Sequence, residues 1–157
     1  MKTIEQKVYE KLKEKNYKVS TAESCTGGLL AGKIINVPGA SEIFDFGVVT
    51  YANEFKVSEL GVSEKSIEEQ GVVSELVAGE MAEGIVKKSG ANVGLSTSGI
   101  AGPTGGTETK PVGMVCFGIC IDGEDFTFTK YFKPKSRKYV RSQSVKFILE
   151  KLLELLK

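Results

Sequence analysis

The stretch YKVSTAESCTGGLLAGKIINVPG (residues 17–39) holds, in order, a short apolar run, a polar turn ending in two glycines, and a second apolar run with helical spacing. The pattern predicts a strand over Tyr17–Ala22 and a helix that opens at Thr26 or Gly27 and stops before Pro38. Alternating strands and helices are typical of α/β domains. The stretch therefore predicts an α/β fold with a polar loop at the carboxyl end of a sheet strand.

The rest of the chain extends this alternation and closes with a hairpin. Helical periodicity predicts five further helices, over residues 3–15, 54–60, 63–69, 73–89 and 136–156. β-rich runs predict strands over residues 43–52 and 92–98, and a hairpin of 113–121 and 125–132 around Asp122-Gly123. We therefore expect a three-layer α/β/α domain with a mixed, mostly parallel sheet and a late antiparallel hairpin.

Composition predicts one globular domain over residues 1–157. The hydrophobic fraction of 41% and the charged fraction of 26% are ordinary for such a domain. A net charge of +1 provides no electrostatic argument for nucleic acid or an acidic membrane as partner. No apolar run approaches the roughly 18 residues of a membrane span, and the amino terminus lacks a signal pattern, so we expect a cytoplasmic protein.

The chain has three cysteines and no histidine. Cys116 and Cys120 lie four residues apart in one predicted strand, about 13 Å apart and so too far for a disulfide. Both are expected to be core residues in a reducing compartment. Because histidine is absent, the sequence predicts no metal site and no metal cofactor.

Ser24 is the candidate nucleophile, because it lies between a predicted strand and a predicted helix. Unpaired N–H groups from Cys25 to Gly28 could stabilise an oxyanion formed there. Two other interpretations stay open: Ser24 or Thr26 could simply cap the helix, and the Cys25 thiol could be the nucleophile. A catalytic thiol usually needs a histidine, so we expect the Cys25 side chain to pack beneath the loop.

Lys56 is the candidate base for Ser24, since lysine is the usual substitute for histidine in this role. A free lysine has a pKa of about 10.4 and is almost fully charged at pH 7, so the role requires burial that lowers the pKa. Aromatic and apolar neighbours around residues 51–57 could provide that burial. The alternative is a solvated helix lysine.

A glycine-rich segment over residues 99–107 follows a predicted strand, and its backbone N–H groups could hold a phosphate or carboxylate. The alternative is a long surface loop. Arg137 and Arg141 lie one helical turn apart, and a solvated surface charge is the expected state of Arg137. Residues 27–34 fit the beginning of a P-loop, but Ile34 replaces the Ser or Thr that would bind Mg²⁺, so a nucleoside triphosphatase is not predicted.

Four motifs together resemble the CinA carboxy-terminal domain family, over nearly the whole chain. They are TAESCTGGL (residues 21–29), VVTYANEFKV (48–57), SGIAGP (98–103) and KPVG (110–113). Ser98 stands where the family usually has threonine, and Glu108-Thr109 replaces a common Pro-Glu pair. The resemblance is to the stand-alone form, without the larger amino-terminal domain of full-length CinA proteins.

The resemblance implies a nicotinamide mononucleotide deamidase, which hydrolyses the carboxamide to nicotinate mononucleotide and ammonia in pyridine nucleotide recycling. It places the family nucleophile at Ser24 and the catalytic lysine at Lys56, with no cofactor, and suggests a homo-oligomer, with a dimer favoured. Ten positions are implied to bind substrate, with the 98–106 loop and Arg141 on the ribose phosphate: Cys25, Thr26, Gly27, Gly28, Tyr51, Ser98, Gly99, Ala101, Gly102 and Arg141. A non-catalytic nucleotide-binding or partner-binding module, or an amidase for another small amide, is the alternative.

Overall fold

A computed structural model describes all of residues 1–157 as a five-stranded sheet between two layers of helices. The helices are α1 Ile4–Lys15, α2 Leu29–Ile35, α3 Asn53–Leu60, α4 Glu64–Gln70, α5 Glu75–Ser89 and α6 Arg137–Leu155. The strands are β1 Val19–Glu23, β2 Phe44–Val49, β3 Val93–Gly99, β4 Met114–Ile121 and β5 Glu124–Tyr131. This confirms the predicted three-layer α/β/α class.

The strand order across the sheet is β2-β1-β3-β4-β5. β1 pairs in parallel with β2 and β3, whereas β4 is antiparallel to both β3 and β5. Four strands therefore run in one direction and only β4 runs against them, as the predicted mixed, mostly parallel sheet requires. The carboxyl ends of β1, β2 and β3 meet at one edge of the sheet.

Each face of the sheet has its own hydrophobic core. The larger core has 19 buried residues and packs α1, α2 and α6 against one face, with Leu12, Leu30 and Ile148 fully or almost fully buried. The smaller core, on the other face, packs α5 around Met81 and Ile85. Burial on both faces explains why β1, β3 and β4 have almost no exposed residue.

Local capping explains most of the element ends. Ser63, Ser74 and Ser136 each accept a hydrogen bond from the backbone N–H three residues on, and so cap α4, α5 and α6. Asp122 and Gly123 both have positive φ, at 49° and 85°, as the two-residue turn of the β4–β5 hairpin requires. The predicted turn and the predicted Ser74 cap are both confirmed.

The predicted start of α2 is wrong by two to three residues. The helix begins at Leu29 and not at Thr26 or Gly27. Residues 25–28 instead form a turn in which Gly27 and Gly28 have positive φ, at 56° and 105°. Glycine adopts this backbone without strain, which explains the glycine pair.

Candidate active site

Ser24 is the first residue after β1, at the edge where the parallel strands end. Its N–H donates to the carbonyl of Thr97 on β3 at 3.1 Å, so the neighbouring strand fixes its position. The side chain is 7% exposed and lies beneath a turn of residues 25–28. The nucleophile candidate therefore occupies a rigid, nearly buried position at the strand ends, where α/β proteins commonly bind ligands.

The Glu23 carboxylate anchors this turn to α2. Oε1 accepts from the Thr26 hydroxyl at 2.5 Å, from the Gly28 N–H at 3.2 Å and from the Leu30 N–H at 2.8 Å. Oε2 accepts from the Ala31 N–H at 3.0 Å. A buried carboxylate thus satisfies the N–H groups at the start of α2, which have no partner within the helix.

Hydrogen bonds within the turn leave fewer backbone N–H groups free to bind an oxyanion. The Gly28 N–H is taken by Glu23, and the Gly27 N–H donates to the Ser24 carbonyl at 3.1 Å. The N–H groups of Cys25 and Thr26 donate no hydrogen bond in the structure. The expectation of free donors from Cys25 to Gly28 is therefore right for two residues and wrong for the two glycines.

Lys56 lies on α3, 32 positions from Ser24 in sequence, and its Nζ is 3.1 Å from the Ser24 Oγ. The same Nζ donates to the carbonyls of Thr50 at 2.7 Å and Tyr51 at 3.1 Å. Lys56 is 0% exposed and forms no ion pair with any carboxylate. The structure therefore brings the two predicted catalytic side chains into hydrogen-bond contact.

Burial lowers the pKa of Lys56 below that of a free lysine, because no carboxylate compensates the charge of its ammonium. The three contacts of Nζ match the three N–H bonds of an ammonium, with Ser24 Oγ as one acceptor. In the neutral amine, which the lowered pKa favours, the carbonyls of Thr50 and Tyr51 accept its two N–H bonds, and the lone pair faces the Ser24 hydroxyl. This is the arrangement that a general base requires.

Cys25 differs from Ser24 in its environment. Its side chain is 5% exposed, and burial raises the pKa of the thiol to about 12. A thiol with that pKa stays protonated at neutral pH and is a poor nucleophile. Ser24, with Lys56 as its neighbour, is the better-activated group in the turn.

A cavity of about 290 Å³ opens beside this dyad. It has one charged lining residue, Arg137, and no acidic one. The Arg137 guanidinium donates to the Gly102 carbonyl and the Tyr51 hydroxyl, both at 2.9 Å. The lining residues are Cys25, Tyr51, Gly99, Ile100, Ala101, Gly102, Thr104, Gly105 and Arg137. Ser24 and Lys56 are not among these residues, but their close neighbours in the site, Cys25 and Tyr51, are. The cavity therefore adjoins the dyad, and its single positive charge suits a small anionic ligand.

The ten residues that the resemblance implies for substrate divide into two groups. Five line the cavity, namely Cys25, Tyr51, Gly99, Ala101 and Gly102. The other five, Thr26, Gly27, Gly28, Ser98 and Arg141, lie outside its lining. The Ser98 hydroxyl donates to the Val72 carbonyl at 2.8 Å, and Arg141 donates to the carbonyls of Cys25 at 2.9 Å and Thr26 at 3.1 Å. Arg141 therefore contacts the backbone of the turn of residues 25–28 from outside the cavity.

Sequence reasoning missed two features of the site. Arg137 is exposed, as expected, but its place in the lining of the cavity was not predicted. Glu23 was not singled out, although its position directly before Ser24 and five residues before Gly28 was the available signal. The structure contains no group of three acidic or cysteine side chains that could hold a metal ion, and none of its helices is long and apolar enough to cross a membrane.

Comparison with known proteins supports a family assignment. The sequence model of the CinA C-terminal domain family matches residues 1–156 of this chain. A competence-damage inducible protein of Caldicellulosiruptor saccharolyticus is 54% identical over 131 residues, 81% of this chain and 32% of the relative. One of Clostridium perfringens is 51% identical over 149 residues, 94% of this chain and 36% of the relative. The chain thus spans about a third of the length of the curated relatives it matches.

Solved structures support the same assignment over the whole fold. The competence/damage inducible protein CihA of Agrobacterium tumefaciens is 35% identical, with a TM-score of 0.94 and 100% coverage of both chains. A CinA superfamily protein of Klebsiella pneumoniae is 33% identical, with a TM-score of 0.94 and coverage of 98% of this chain and 95% of that one.

Proposed function

We propose that this chain, which belongs to the CinA C-terminal domain family, is an amidohydrolase that converts nicotinamide mononucleotide to nicotinate mononucleotide and ammonia. One observation carries the proposal: the 3.1 Å contact between Lys56 Nζ and Ser24 Oγ, at a lysine that is fully buried and has no carboxylate partner. A neutral amine directed at a serine hydroxyl is a nucleophile–base pair, and a chain without histidine needs such a pair.

In the first half-reaction, neutral Lys56 accepts the Ser24 proton while the Ser24 oxygen bonds to the amide carbon. The resulting oxyanion accepts hydrogen bonds from the N–H groups of Cys25 and Thr26. The Lys56 ammonium then gives its proton to the departing nitrogen, so ammonia leaves and an acyl-serine ester remains. Thr50 and Tyr51 hold the amine through both proton transfers.

In the second half-reaction, water replaces ammonia. Lys56 accepts a proton from the water as the water oxygen bonds to the ester carbon. Collapse of this second intermediate breaks the bond to Ser24, which recovers its proton from Lys56, and the carboxylic acid is released. The sum is one amide and one water converted to one acid and one ammonia.

We further propose that Arg137, rather than Arg141, contacts the phosphate of the substrate. Arg137 lines the cavity and has no carboxylate partner, and guanidinium groups bind phosphate bidentately. Each arginine already donates two hydrogen bonds, Arg137 to Gly102 and Tyr51 and Arg141 to Cys25 and Thr26. The preference therefore rests on position, since Arg137 lines the cavity and Arg141 does not. In this proposal Arg141 shapes the turn from behind, and the N–H groups of the glycine-rich loop join Arg137 at the phosphate.

The proposed setting is cytoplasmic, with a small nucleotide as the only ligand. A homo-oligomer, with a dimer favoured, completes the proposal. Exposed apolar side chains on β2 and α3 support it, because Val49 is 52% exposed and Phe55 is 50% exposed. Sedimentation equilibrium measures the oligomeric state.

Ammonia release from nicotinamide mononucleotide tests the proposed reaction. We expect turnover by the unmodified chain and a loss of at least a thousandfold in Ser24→Ala, because removing the nucleophile of a catalytic pair abolishes covalent catalysis. Circular dichroism controls for folding. Ammonia release by a folded Ser24→Ala protein at the unmodified rate rules out the serine route.

The same assay separates the alternatives. A chain that binds the nucleotide but releases no ammonia is a binding module. A chain that releases ammonia only from other small amides is an amidase of different specificity.

A further inference from the structure

A second cavity, of about 420 Å³, lies between α1, α2 and α6 and shares no lining residue with the candidate active site. Its volume lies within the usual range for small-molecule sites. The cavity is lined by Ile4 of α1, Leu29 and Lys33 of α2, and Ser142, Gln143, Val145 and Lys146 of α6. Its walls therefore combine an apolar surface with amine, amide and hydroxyl groups.

The apolar part of the lining comes from three different helices. Ile4 is half-buried, Val145 is 4% exposed, and Leu29 keeps 42% of its surface exposed. An exposed leucine facing a cavity leaves apolar area that a ligand with an apolar body can cover. The cavity thus favours a ligand with a hydrocarbon or aromatic part.

The charges of the cavity favour an anion with a single negative charge. Two lysines line it, and no acidic side chain does. The Lys33 Nζ is 3.3 Å from Oε2 of Glu5, a carboxylate that is only 8% exposed, so the charge of Lys33 is largely compensated. Lys146 forms no ion pair, which leaves one uncompensated positive charge.

We propose that this cavity is a binding site for an amphipathic monocarboxylate. In this site the carboxylate pairs with the Lys146 ammonium, the amide of Gln143 offers a further donor, and the apolar body covers Leu29, Ile4 and Val145. The Ser142 hydroxyl already donates to the Tyr139 carbonyl at 3.0 Å and contributes only polar surface. A dianionic phosphate fits less well, because only one positive charge is uncompensated. The site is independent of the proposed deamidation and of the cavity beside Ser24.

Titration of the folded chain with hexanoate, followed by amide chemical shifts in NMR, tests the site without measuring activity. We expect saturable shifts around residues 29–33 and 142–146, and weaker binding of neutral 1-hexanol. Lys146→Gln should weaken hexanoate binding roughly fivefold, the effect of losing one partly exposed ion pair. Lys65→Gln, on α4 across the sheet, is the matched control and should leave the affinity unchanged.

Four outcomes overturn the proposal. The first is no saturable shift at millimolar hexanoate, and the second is shifts confined to Ile100, Gly102 and Arg137 of the other cavity. The third is equal affinity for hexanoate in the unmodified chain and in Lys146→Gln. The fourth is a set of shifts at residues 29–33 and 142–146 that depends on protein concentration without ligand, which assigns the face to a second copy of the chain.

Discussion

At the scale of single residues, Lys56 is the most unusual side chain in the molecule. A fully buried lysine without an acidic partner costs folding free energy, because its charged form is poorly solvated. Ionisable groups with such strongly shifted pKa values cluster at functional sites, where catalysis depends on the shift. The surrounding carbonyls of Thr50 and Tyr51 direct the amine toward Ser24 and toward no other hydroxyl.

Replacing Lys56 by Met tests this role, since Met has a similar volume and no amine. We expect ammonia release to fall by about 10² to 10⁴, the usual contribution of a general base, while nucleotide binding is retained. Lys65→Met, at a lysine whose side chain is 79% exposed, is the matched control and should keep full activity. Unchanged activity in Lys56→Met means that another group is the base.

The pH dependence of kcat/KM in the unmodified chain tests the same role of Lys56 as the base. Only the deprotonated amine accepts the Ser24 proton, so kcat/KM should rise with pH and reach a plateau below the usual lysine pKa of 10.5, because the pKa of Lys56 is lowered. A rate that keeps rising tenfold per pH unit beyond 10.5 contradicts a buried, neutral Lys56.

The candidate site also shows which residue roles are predictable. The four motifs name Ser24 and Lys56 through their resemblance to a family, whereas spacing alone does not separate Lys56 from the other lysines. Arg137 and Arg141 are one turn apart on α6, and both lie near the site. Which of them faces the cavity depends on the rotation of α6 against the turn, which no local pattern contains.

At the scale of elements, local chemistry explains what was predictable. α5 and the β4–β5 hairpin end where Ser74, Gly90 and Asp122-Gly123 predict, because caps and turns depend on neighbours in sequence. The start of α2 depends instead on the Glu23 carboxylate, which reaches from the end of β1 to the N–H groups of Leu30 and Ala31. The start of α2 is therefore determined by a contact between β1 and α2 and not by a local sequence pattern.

Close packing between α3 and α5 leads to a prediction about glycine. A Cβ added at Gly84 of α5 would lie 1.9 Å from the backbone carbonyl oxygen of Leu60, which cannot move without shifting α3. We expect Gly84→Ala to lower the free energy of unfolding by about 2 kcal/mol or more, as overpacking does. Because Leu60 ends the helix that carries Lys56, activity should fall as well.

Gly32→Ala on α2 is the matched control for that change. Nothing lies within 4 Å of a Cβ at Gly32, so the substitution should raise the free energy of unfolding by roughly 0.5–1 kcal/mol through helix propensity alone. Urea denaturation of both variants measures the difference. Equal stability of the two contradicts the packing argument.

At the scale of the whole molecule, polar contacts hold the sheet edge to α5. The Glu75 carboxylate accepts from the hydroxyls of Thr127 and Thr129, both at 2.7 Å. About two turns further along α5, a hydrogen bond with Asp125 of β5 raises the pKa of Glu83 to about 7, and burial adds to the effect. The protonated form of Glu83 is therefore favoured at this contact between α5 and the last strand.

The raised pKa of Glu83 makes the free energy of unfolding depend on pH. A carboxyl group whose pKa is raised on folding, here from 4.5 to about 7, binds its proton more tightly in the folded state. Its stabilising contribution is complete below pH 4.5 and is lost as the pH rises through about 7. The lowered pKa of Lys56 acts in the opposite direction, since that group favours folding increasingly as the pH rises toward 10.5.

Glu83→Gln separates the two contributions, because a neutral amide keeps the hydrogen bond to Asp125 and has no proton to lose. Between pH 5 and 9, we expect the variant to gain stability relative to the unmodified chain by about 1 kcal/mol, a modest value because solvent screens this half-exposed pair. Glu69→Gln, at an exposed i,i+4 pair on α4, is the control and should show no such gain. Urea denaturation at several pH values measures each free energy of unfolding. Parallel curves for Glu83→Gln and the unmodified chain would contradict the raised pKa of Glu83.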